Sequence, residues 1–545
     1  MREAQSTPHE PGRPLVLAVV LLSVATTAWL ALAGRGNVLL YGDEYLSVSD
    51  LGASYWKTLS MYDHRGTGVA FLLLQKLAVD LLGESLFAYR SPAILGGIGA
   101  VLVAYPTAKR LVGAWPALIA TPLLATTSQF VYYARFGRAY ALLVLLVLLF
   151  AGALQRVLDD ERPRRRTLAL VAVSGGLLPW VHLTAAAPVA LVGLAALVVV
   201  VLRRDRARFV RLAGSLFGAA LLALLLFLPA WEPALEFVRT KTGGSSMNFG
   251  VLHVASLLPG SEAVGTAWAV LVPIAALWFA LRHRGDAVVT LVAALAPVLG
   301  VLLTKPAGGV YAFARYLIAA LPFYAMLLAW LLVRCAHLVP VGRSVAERSA
   351  AAVGIALTAV VFLTGPIVTD AAARGPFANT NMSLHSLAPF DVPFDEMPAF
   401  YAQLAASPEP LSIVEIPEQV SRSVLLYRNY WLAHRKDVLI GYVLARKNAH
   451  VPAGPYLRIG VEGLRDLDAD YVILHKAIDL EMLAYWRFVH GKVWSELEDP
   501  DLFPHMQAHG NFGTRFQAKE VALEGLAALG APFYTDDYLI VWKLR

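Results

Sequence analysis

Long apolar runs that hold no charged residue are the feature that most limits what this chain can fold into. Examples are 139–150 and 190–202. The 545-residue chain is 58% hydrophobic and only 16% charged, whereas soluble domains carry about 25% charged residues. Since roughly 20 apolar residues cross the hydrocarbon layer of a bilayer, the sequence predicts a polytopic α-helical membrane protein. About eleven crossing segments are expected, at 15–33, 91–108, 115–133, 139–156, 168–181, 183–202, 212–230, 265–281, 287–304, 315–333 and 349–368.

The charged residues divide unevenly along the chain. Residues 1–369 hold 30 Lys and Arg against 17 Asp and Glu, whereas residues 370–545 hold 16 against 22. The net charge of +7 therefore combines a basic membrane half with an acidic tail. Basic loops beside spans are typical of the cytoplasmic side of a membrane. No basic stripe interleaved with aromatic residues occurs in the tail, so we expect no nucleic-acid partner.

The segment 67–82 decides the orientation, because Lys76 and Asp80 interrupt its apolar run. If this segment crossed the bilayer, the basic clusters at 162–166 and 203–208 would lie outside, against the positive-inside rule. If it lies in the interface as an amphipathic helix, 19 of the 30 basic residues of the membrane half fall on the cytoplasmic side. We therefore expect the interfacial placement.

This orientation divides the chain into three parts within a multi-pass protein of the cell (inner or plasma) membrane. Residues 1–14 form a cytoplasmic N-terminus, and residues 15–369 form a transmembrane domain whose first outer loop is 34–90. Residues 370–545 form an extracytoplasmic tail. Short β-like runs in the tail, separated by helical segments near 417–433 and 478–490, predict a small α/β domain. The runs lie at Ser412–Ile416, Asp437–Val443, Tyr471–His475 and Tyr538–Lys543.

Asp43 and Glu44 form the strongest local signal, since they follow the first span directly. Two adjacent carboxylates beside a bilayer are costly to desolvate. One interpretation is that the pair belongs to a solvated loop or a helix cap. The other is that one carboxylate is a general base, whose raised pKa lets it accept a proton from an attacking hydroxyl or amine. The sequence predicts a catalytic role for this pair.

Basic residues recur in the outer segments expected for the membrane half. His64 and Arg65 follow Asp63 and suit a phosphate, because Arg offers planar bidentate donors; alternatively Asp63 and Arg65 simply pair with each other. Arg135 and Arg138 occupy a short outer turn, where positive charge is disfavoured. These cations therefore indicate an anionic ligand.

Two weaker signals lie further along the chain. His182 sits at the tip of a helical hairpin and is either structural or substrate-binding. Arg315 opens the tenth span, where it reaches a lipid phosphate or snorkels to headgroups. We expect substrate contacts from Asp63, His182, Tyr140 and Tyr316.

Absent motifs exclude several chemistries. The sequence has no GxxxxGK[ST] phosphate loop, no HExxH and a single cysteine, Cys335, so ATP-driven transport and zinc hydrolysis have no support. Asp43, Glu44 and Asp63 have the oxygen ligands that a divalent cation prefers, but nothing in their spacing requires one. We expect no obligatory cofactor and no dedicated metal site.

Several segments together resemble a known family. A first span followed by Asp43-Glu44, then a His-containing segment leading to an interfacial helix, then 88–93 (AYRSPA) opening the next span, resembles the GT-C glycosyltransferases. Nearest are the protein O-mannosyltransferases and the lipid A aminoarabinose transferase. The segments 135–143, 182–184 and 314–316 are also similar, so the resemblance covers about residues 15–335. Relatives often have consecutive prolines after the His/Lys position, whereas this chain has 65–68 (RGTG).

The resemblance implies transfer of a hexosyl or pentosyl group from a polyprenyl-phosphate donor to an extracytoplasmic acceptor glycan, lipid or protein. Asp43 matches the family's catalytic base and Glu44 its neighbouring carboxylate. Arg65, Arg138 and Arg315 match positions that contact the carrier phosphate. A single base facing the leaving group across the sugar predicts one-step inversion.

Two other classes remain open from the sequence. A polyprenyl-lipid flippase or transporter explains the spans and outer arginines, but predicts mid-membrane ionisable residues and a repeat architecture, which the sequence does not display. A non-catalytic cell-envelope assembly protein explains the tail, but it needs neither eleven spans nor acidic and basic groups gathered on one side.

Overall fold

The structure is a computed structural model that describes the chain in segments. Two compact units are present: one comprises Met1–Arg35 with Tyr55–Leu387, and the other Gly36–Ser54 with Ala388–Arg545. The described residues are 10–32, 44, 51, 53–62, 68–83, 85–241, 254–255, 258–304, 314–363, 365–369, 396–416, 430, 433–434, 436–440, 469–476 and 526–545.

Helices make up the first unit. Its α-helices are α1 Arg13–Leu32, α2 Tyr55–Ser60, α3 Val69–Leu82, α4 Leu86–Val112, α5 Ala114–Thr126, α6 Ser128–Arg135, α7 Tyr140–Asp159, α8 Arg165–Val181, α9 Ala186–Leu202, α10 Arg206–Phe227, α11 Trp231–Lys241, α12 Glu262–His283, α13 Val288–Thr304, α14 Leu321–Ala336, α15 Arg343–Leu363 and α16 Pro366–Thr369. Seven described helices are long and apolar enough to span a membrane, and three shorter apolar ones accompany them. The multi-pass helical class is confirmed, whereas the count of eleven crossings is not.

One expected span is broken. The segment 115–133 was predicted as a single helix, but α5 ends at Thr126 and α6 begins at Ser128. The Thr126 and Thr127 hydroxyls donate to the carbonyls four residues earlier, at 2.8 and 2.5 Å. Side-chain hydrogen bonds of this kind compete with the helix ladder, and Thr127 is extended, with ψ 126°.

The loops expected on the cytoplasmic side gather at one end of the helices. Lys109 Nζ lies 2.8 Å from Glu10 Oε2. Arg110 Nη1 lies 3.7 Å from Asp160 Oδ1, and Arg208 donates to the Asp160 carbonyl at 3.1 Å. The N-terminal segment and the connections after α4, α7 and α9 therefore share one end, as the charge pattern predicts; we call it the basic end.

Helix α3 contacts the opposite end. A Cβ on Gly68 would lie 2.1 Å from the Val181 carbonyl oxygen, so only glycine allows α3 to begin so close to the end of α8. Gln75, in the middle of α3, donates to the Tyr89 carbonyl at 2.7 Å and to the Gly137 carbonyl at 3.2 Å. Both halves of this 14-residue helix thus touch turns at the same end of the bundle.

The second unit contains a five-stranded mixed sheet. Its strands are β1 Ser412–Ile416, β2 Asp437–Ile440, β3 Tyr471–His475, β4 Tyr534–Thr535 and β5 Leu539–Lys543, in the order β2-β1-β3-β5-β4. β1 is parallel to β2 and β3, and β5 is antiparallel to β3 and β4.

The predicted small α/β domain is confirmed in these strands, and a helix at Ala399–Ala406 precedes them. Strand β4 was not predicted. The helical segments expected near 417–433 and 478–490 lie almost wholly outside the described residues. A buried core with Val414, Val472, Leu474 and Trp542 holds the sheet together.

Candidate functional site

The turn between α6 and α7 places two arginines in the interior. Arg138 is 3% exposed and Arg135 is 4% exposed. Arg135 was expected in the turn itself, but it is the last residue of α6. Burying a guanidinium without compensating interactions costs several kcal/mol, so both positions need a structural or a functional reason.

Aromatic rings pack around this turn. The Tyr133 ring lies 4.4 Å from the Tyr140 ring and 4.8 Å from the Tyr132 ring, between centroids. The Phe136 ring stacks on Tyr132 at 5.1 Å. These four side chains are all buried and hold the backbone that carries Arg138. The hydrogen bond that Gln75 of α3 donates to the Gly137 carbonyl also holds this turn.

His182 joins the turn to a second arginine. Its ring centroid lies 5.1 Å from that of Tyr140 and 5.9 Å from that of Tyr316. Arg315 Cζ lies 5.1 Å from the Tyr316 ring centroid, a cation–π distance. The structure therefore brings together five predicted site residues from three separate parts of the sequence: Arg138, Tyr140, His182, Arg315 and Tyr316. We call this group the His182 cluster.

His182 is uncharged in this environment. Burial, with the positive charges of Arg138 and Arg315, lowers the pKa of His182 to about 3. Its Nδ1 is hydrogen-bonded to Thr184 Oγ1 at 2.7 Å, which fixes the ring orientation. The cluster therefore presents two cations and a neutral imidazole, a combination that attracts an anion through charge-assisted hydrogen bonds.

Two further residues near the His182 cluster, Tyr62 and Trp180, were not predicted from the sequence as site residues. Tyr62 is 2% exposed, and burial, with a smaller contribution from nearby Tyr316, raises its pKa. Tyr62 Oη and Trp180 Nε1 are buried with no hydrogen-bond partner among the described residues, and both side chains belong to one apolar cluster with Phe227. Buried polar atoms without partners are rare. The sequence signal for Tyr62 was its position directly before Asp63.

An apolar groove is lined by residues of the two helices that His182 joins. It has a volume of about 340 Å³ and runs between α8, α9 and α10. Pro179 and Ala186, which flank His182 in the sequence, line it together with Gly175, Gly193 and Leu216. Every lining residue is apolar or glycine, so the groove suits a hydrocarbon chain rather than a polar ligand.

Of the acidic residues predicted for the site, the structure describes only Glu44. Glu44 is fully buried and belongs to the second unit. Asp43, Asp63, His64 and Arg65 lie outside the described residues, and their roles remain predictions. Within the described part of the chain, no group of three or more His, Cys, Asp or Glu side chains is arranged to hold a metal ion.

The first unit, with seven described helices that are long and apolar enough to cross a bilayer, and the sheet of the second unit define a multi-pass helical membrane protein with a small α/β part. Residues 67–232 match the family model of the dolichyl-phosphate-mannose-protein mannosyltransferases, which is under a third of the chain. The segment includes Arg135, Arg138, Tyr140 and His182. This match confirms the resemblance to the protein O-mannosyltransferases over this segment.

Solved structures are similar over most of the chain. ArnT from Cupriavidus metallidurans in the apo state is 14% identical, with a TM-score of 0.50, and 98% of each chain is covered. The same protein bound to undecaprenyl phosphate is 13% identical, with a TM-score of 0.49, and the match covers 87% of this chain and 95% of ArnT.

The oligosaccharyltransferase AglB from Archaeoglobus fulgidus, in complex with an inhibitory peptide and a dolichol-phosphate, is 13% identical. The TM-score is 0.45, and 86% of this chain and 70% of AglB are covered. At such identities the likeness concerns the fold alone. No curated protein sequence matches the chain significantly.

Proposed function

We propose that this protein transfers a glycosyl group from a polyprenyl-phosphate donor to an acceptor on the extracytoplasmic face of the membrane. The proposal rests on one observation: the charged groups of Arg138 and Arg315 both lie close enough to His182 to act on it. Two cations and a neutral imidazole at one end of a transmembrane bundle suit a lipid-linked phosphate. The family model matched by 67–232 describes enzymes that use a mannosyl phosphate lipid, which supports the same donor class.

The apolar groove supports a lipid-linked donor over a soluble one. A polyprenyl chain needs an apolar path that starts beside its phosphate, and the groove lined by Pro179 and Ala186 starts beside His182 in the sequence. Each buried CH₂ of such a chain contributes about 0.8 kcal/mol. A nucleotide sugar gains nothing from this surface.

The reaction then needs one proton acceptor. Asp43 takes the proton of the acceptor hydroxyl or amine, whose oxygen or nitrogen forms the new bond to the anomeric carbon. The bond from that carbon to the phosphate oxygen breaks on the opposite face, and polyprenyl phosphate leaves. Arg138 and Arg315 stabilise the charge that develops on the leaving phosphate. A single displacement inverts the anomeric configuration.

Glu44 has a supporting role beside the base, and a divalent cation is not obligatory. His64 and Arg65 add donors to the phosphate, Arg135 supports the turn of Arg138, and Asp63, Tyr140 and Tyr316 contact the sugar or the acceptor. The lipid bilayer supplies the donor by lateral diffusion.

The test uses the detergent-purified protein, radiolabelled polyprenyl-phosphate sugars and a cell-envelope extract as the source of acceptors. Asp43→Asn removes the base while keeping side-chain size, so transfer should fall by at least about a hundredfold with donor binding retained. Glu161→Gln removes a carboxylate that is exposed at the basic end and should leave the rate unchanged. Full activity of the Asp43→Asn variant contradicts the proposal.

A further inference from the structure

A second cationic group lies at the opposite end of α14 from Arg315. It comprises Arg282 near the end of α12, Arg334 in the last turn of α14 and Arg343 at the start of α15. The 16-residue α14 separates it from the His182 cluster by about 24 Å. We call this group the Arg334 cluster.

Arg334 lies close to both other arginines. His337, one turn after Arg334, and Arg343 both contact Glu347, and the charges of Arg282 and Arg343 both act on Arg334. Burial lowers the pKa of His337, and the charges of Arg334 and Arg343 lower it further, while Glu347 opposes them. Folding therefore concentrates like charges in one place. Such repulsion is destabilising unless an anion is bound.

A buried carboxylate holds part of the cluster in place. Glu347 is 3% exposed, and its Oε1 lies 3.1 Å from Arg343 Nε and 3.4 Å from His337 Nε2. It is the one carboxylate with a described contact to the cluster. One negative charge cannot balance three guanidinium groups, so the described side chains leave a net positive charge.

The connection between α14 and α15 is apolar and exposed. Leu338, Val339 and Val341 are 72%, 53% and 48% exposed, although they lie between Arg334 and Arg343. Arg334 and Arg343 lie in the turns of α14 and α15 next to this connection, so the two arginines lie between it and the apolar parts of both helices. Arginines at such helix ends reach the level of the lipid headgroups.

Aromatic packing brings the arginine-bearing ends of α12 and α14 together. The buried Trp330 ring packs edge-on against Trp278 at 5.7 Å and against Phe279 at 5.0 Å, and Arg334 Cζ lies 5.8 Å from the Trp330 centroid. Basic pockets between transmembrane helices bind phosphate headgroups of lipids.

We propose that Arg282, Arg334 and Arg343 bind the headgroup of an anionic phospholipid, with Glu347 positioning Arg343 and His337. The acyl chains of this lipid extend from the cluster along the exposed apolar side chains of α15, which include Val353, Leu357 and Val360. The site is remote from the His182 cluster and independent of the proposed glycosyl transfer.

Native mass spectrometry of the delipidated, detergent-purified protein tests this site, with phosphatidylglycerol and phosphatidylcholine of identical acyl chains as probes. The wild-type protein should retain phosphatidylglycerol at least about tenfold more tightly than phosphatidylcholine. The double variant R334Q/R343Q should lose that preference. The matched variant R162Q/R164Q removes two exposed arginines from the connection after α7 and should keep it.

The variant Glu347→Gln distinguishes specific binding of the lipid headgroup from non-specific attraction of an anionic lipid to a basic surface. This change makes the cluster more positive, so non-specific attraction predicts tighter binding of phosphatidylglycerol. The proposed site predicts weaker binding, because Arg343 and His337 lose the group that orients them.

Three results overturn the proposal: equal loss in both double variants, tighter binding by Glu347→Gln, or displacement of the lipid by an excess of inorganic phosphate, which would identify a site for free phosphate. Circular dichroism and size-exclusion profiles of each variant separate loss of the site from loss of the fold.

Discussion

The low pKa of His182 predicts a specific loss of stability in acid. Histidine in an unfolded chain titrates near 6.5, whereas burial and two arginines lower the folded-state pKa to about 3. Below pH 6.5 a proton therefore favours the unfolded state, and the stability that neutral His182 provides is lost as the pH falls from 6.5 towards 3. At pH 5.0 the loss amounts to about 2 kcal/mol.

The assay is thermal unfolding of the detergent-purified protein at pH 7.0 and pH 5.0. The wild-type melting temperature should fall by a few degrees, and His182→Gln should reduce that fall because glutamine does not titrate. The control His283→Gln alters an exposed histidine and should keep the wild-type pH dependence. If His182→Gln melts with the same pH dependence as the wild type, then His182 is not buried between the two arginines.

Three further predictions concern the site and the second unit. Arg138→Gln should raise the KM for a polyprenyl-phosphate sugar by about 10- to 100-fold, since a charge-assisted hydrogen bond contributes about 1.5–3 kcal/mol; steady-state kinetics measure this, and an unchanged KM contradicts a phosphate role. Tyr62→Phe removes a hydroxyl without a described partner, so transfer should slow while the melting temperature stays unchanged; a lower melting temperature with normal kinetics would assign Tyr62 a structural role. Tyr401→Phe should destabilise the second unit by about 1–3 kcal/mol, because the Tyr401 hydroxyl donates to Glu415 Oε1 at 2.6 Å in the interior; limited proteolysis measures this, and wild-type resistance would contradict it.

The sequence predicted those elements that a local pattern encodes. Charge-free apolar runs located the spans, and short runs of mostly apolar, β-branched residues located β1 and β3, because a strand that is buried on both faces has such a run. The break at Thr127 escaped prediction. The apolar residues on both sides made 115–133 resemble one span although residues 126–129 are polar, and the break depends on hydroxyl bonds to the preceding turn.

The sequence predicted the individual residues of the candidate site, but it did not predict how they lie relative to one another in space. Arg138, His182 and Arg315 are separated by more than 40 residues at each step, and only the packing of α4, α7, α8 and α14 brings them together. The charge pattern placed them on one side of the membrane and could go no further. Tyr62 was missed because its position before Asp63 is a weak signal, and the burial of its hydroxyl depends on packing between distant segments.

The choice of donor by the purified wild-type protein is the sharpest test of glycosyl transfer from a polyprenyl-phosphate sugar. One sugar, supplied as its polyprenyl-phosphate, polyprenyl-diphosphate and nucleotide derivatives, would be offered with the same cell-envelope extract, and both labelled product and released carrier would be quantified. We expect transfer from the polyprenyl-phosphate donor, with one polyprenyl phosphate released for each sugar transferred. Transfer from the nucleotide sugar, or movement of the intact lipid across the bilayer without cleavage of the sugar–phosphate bond, would contradict it.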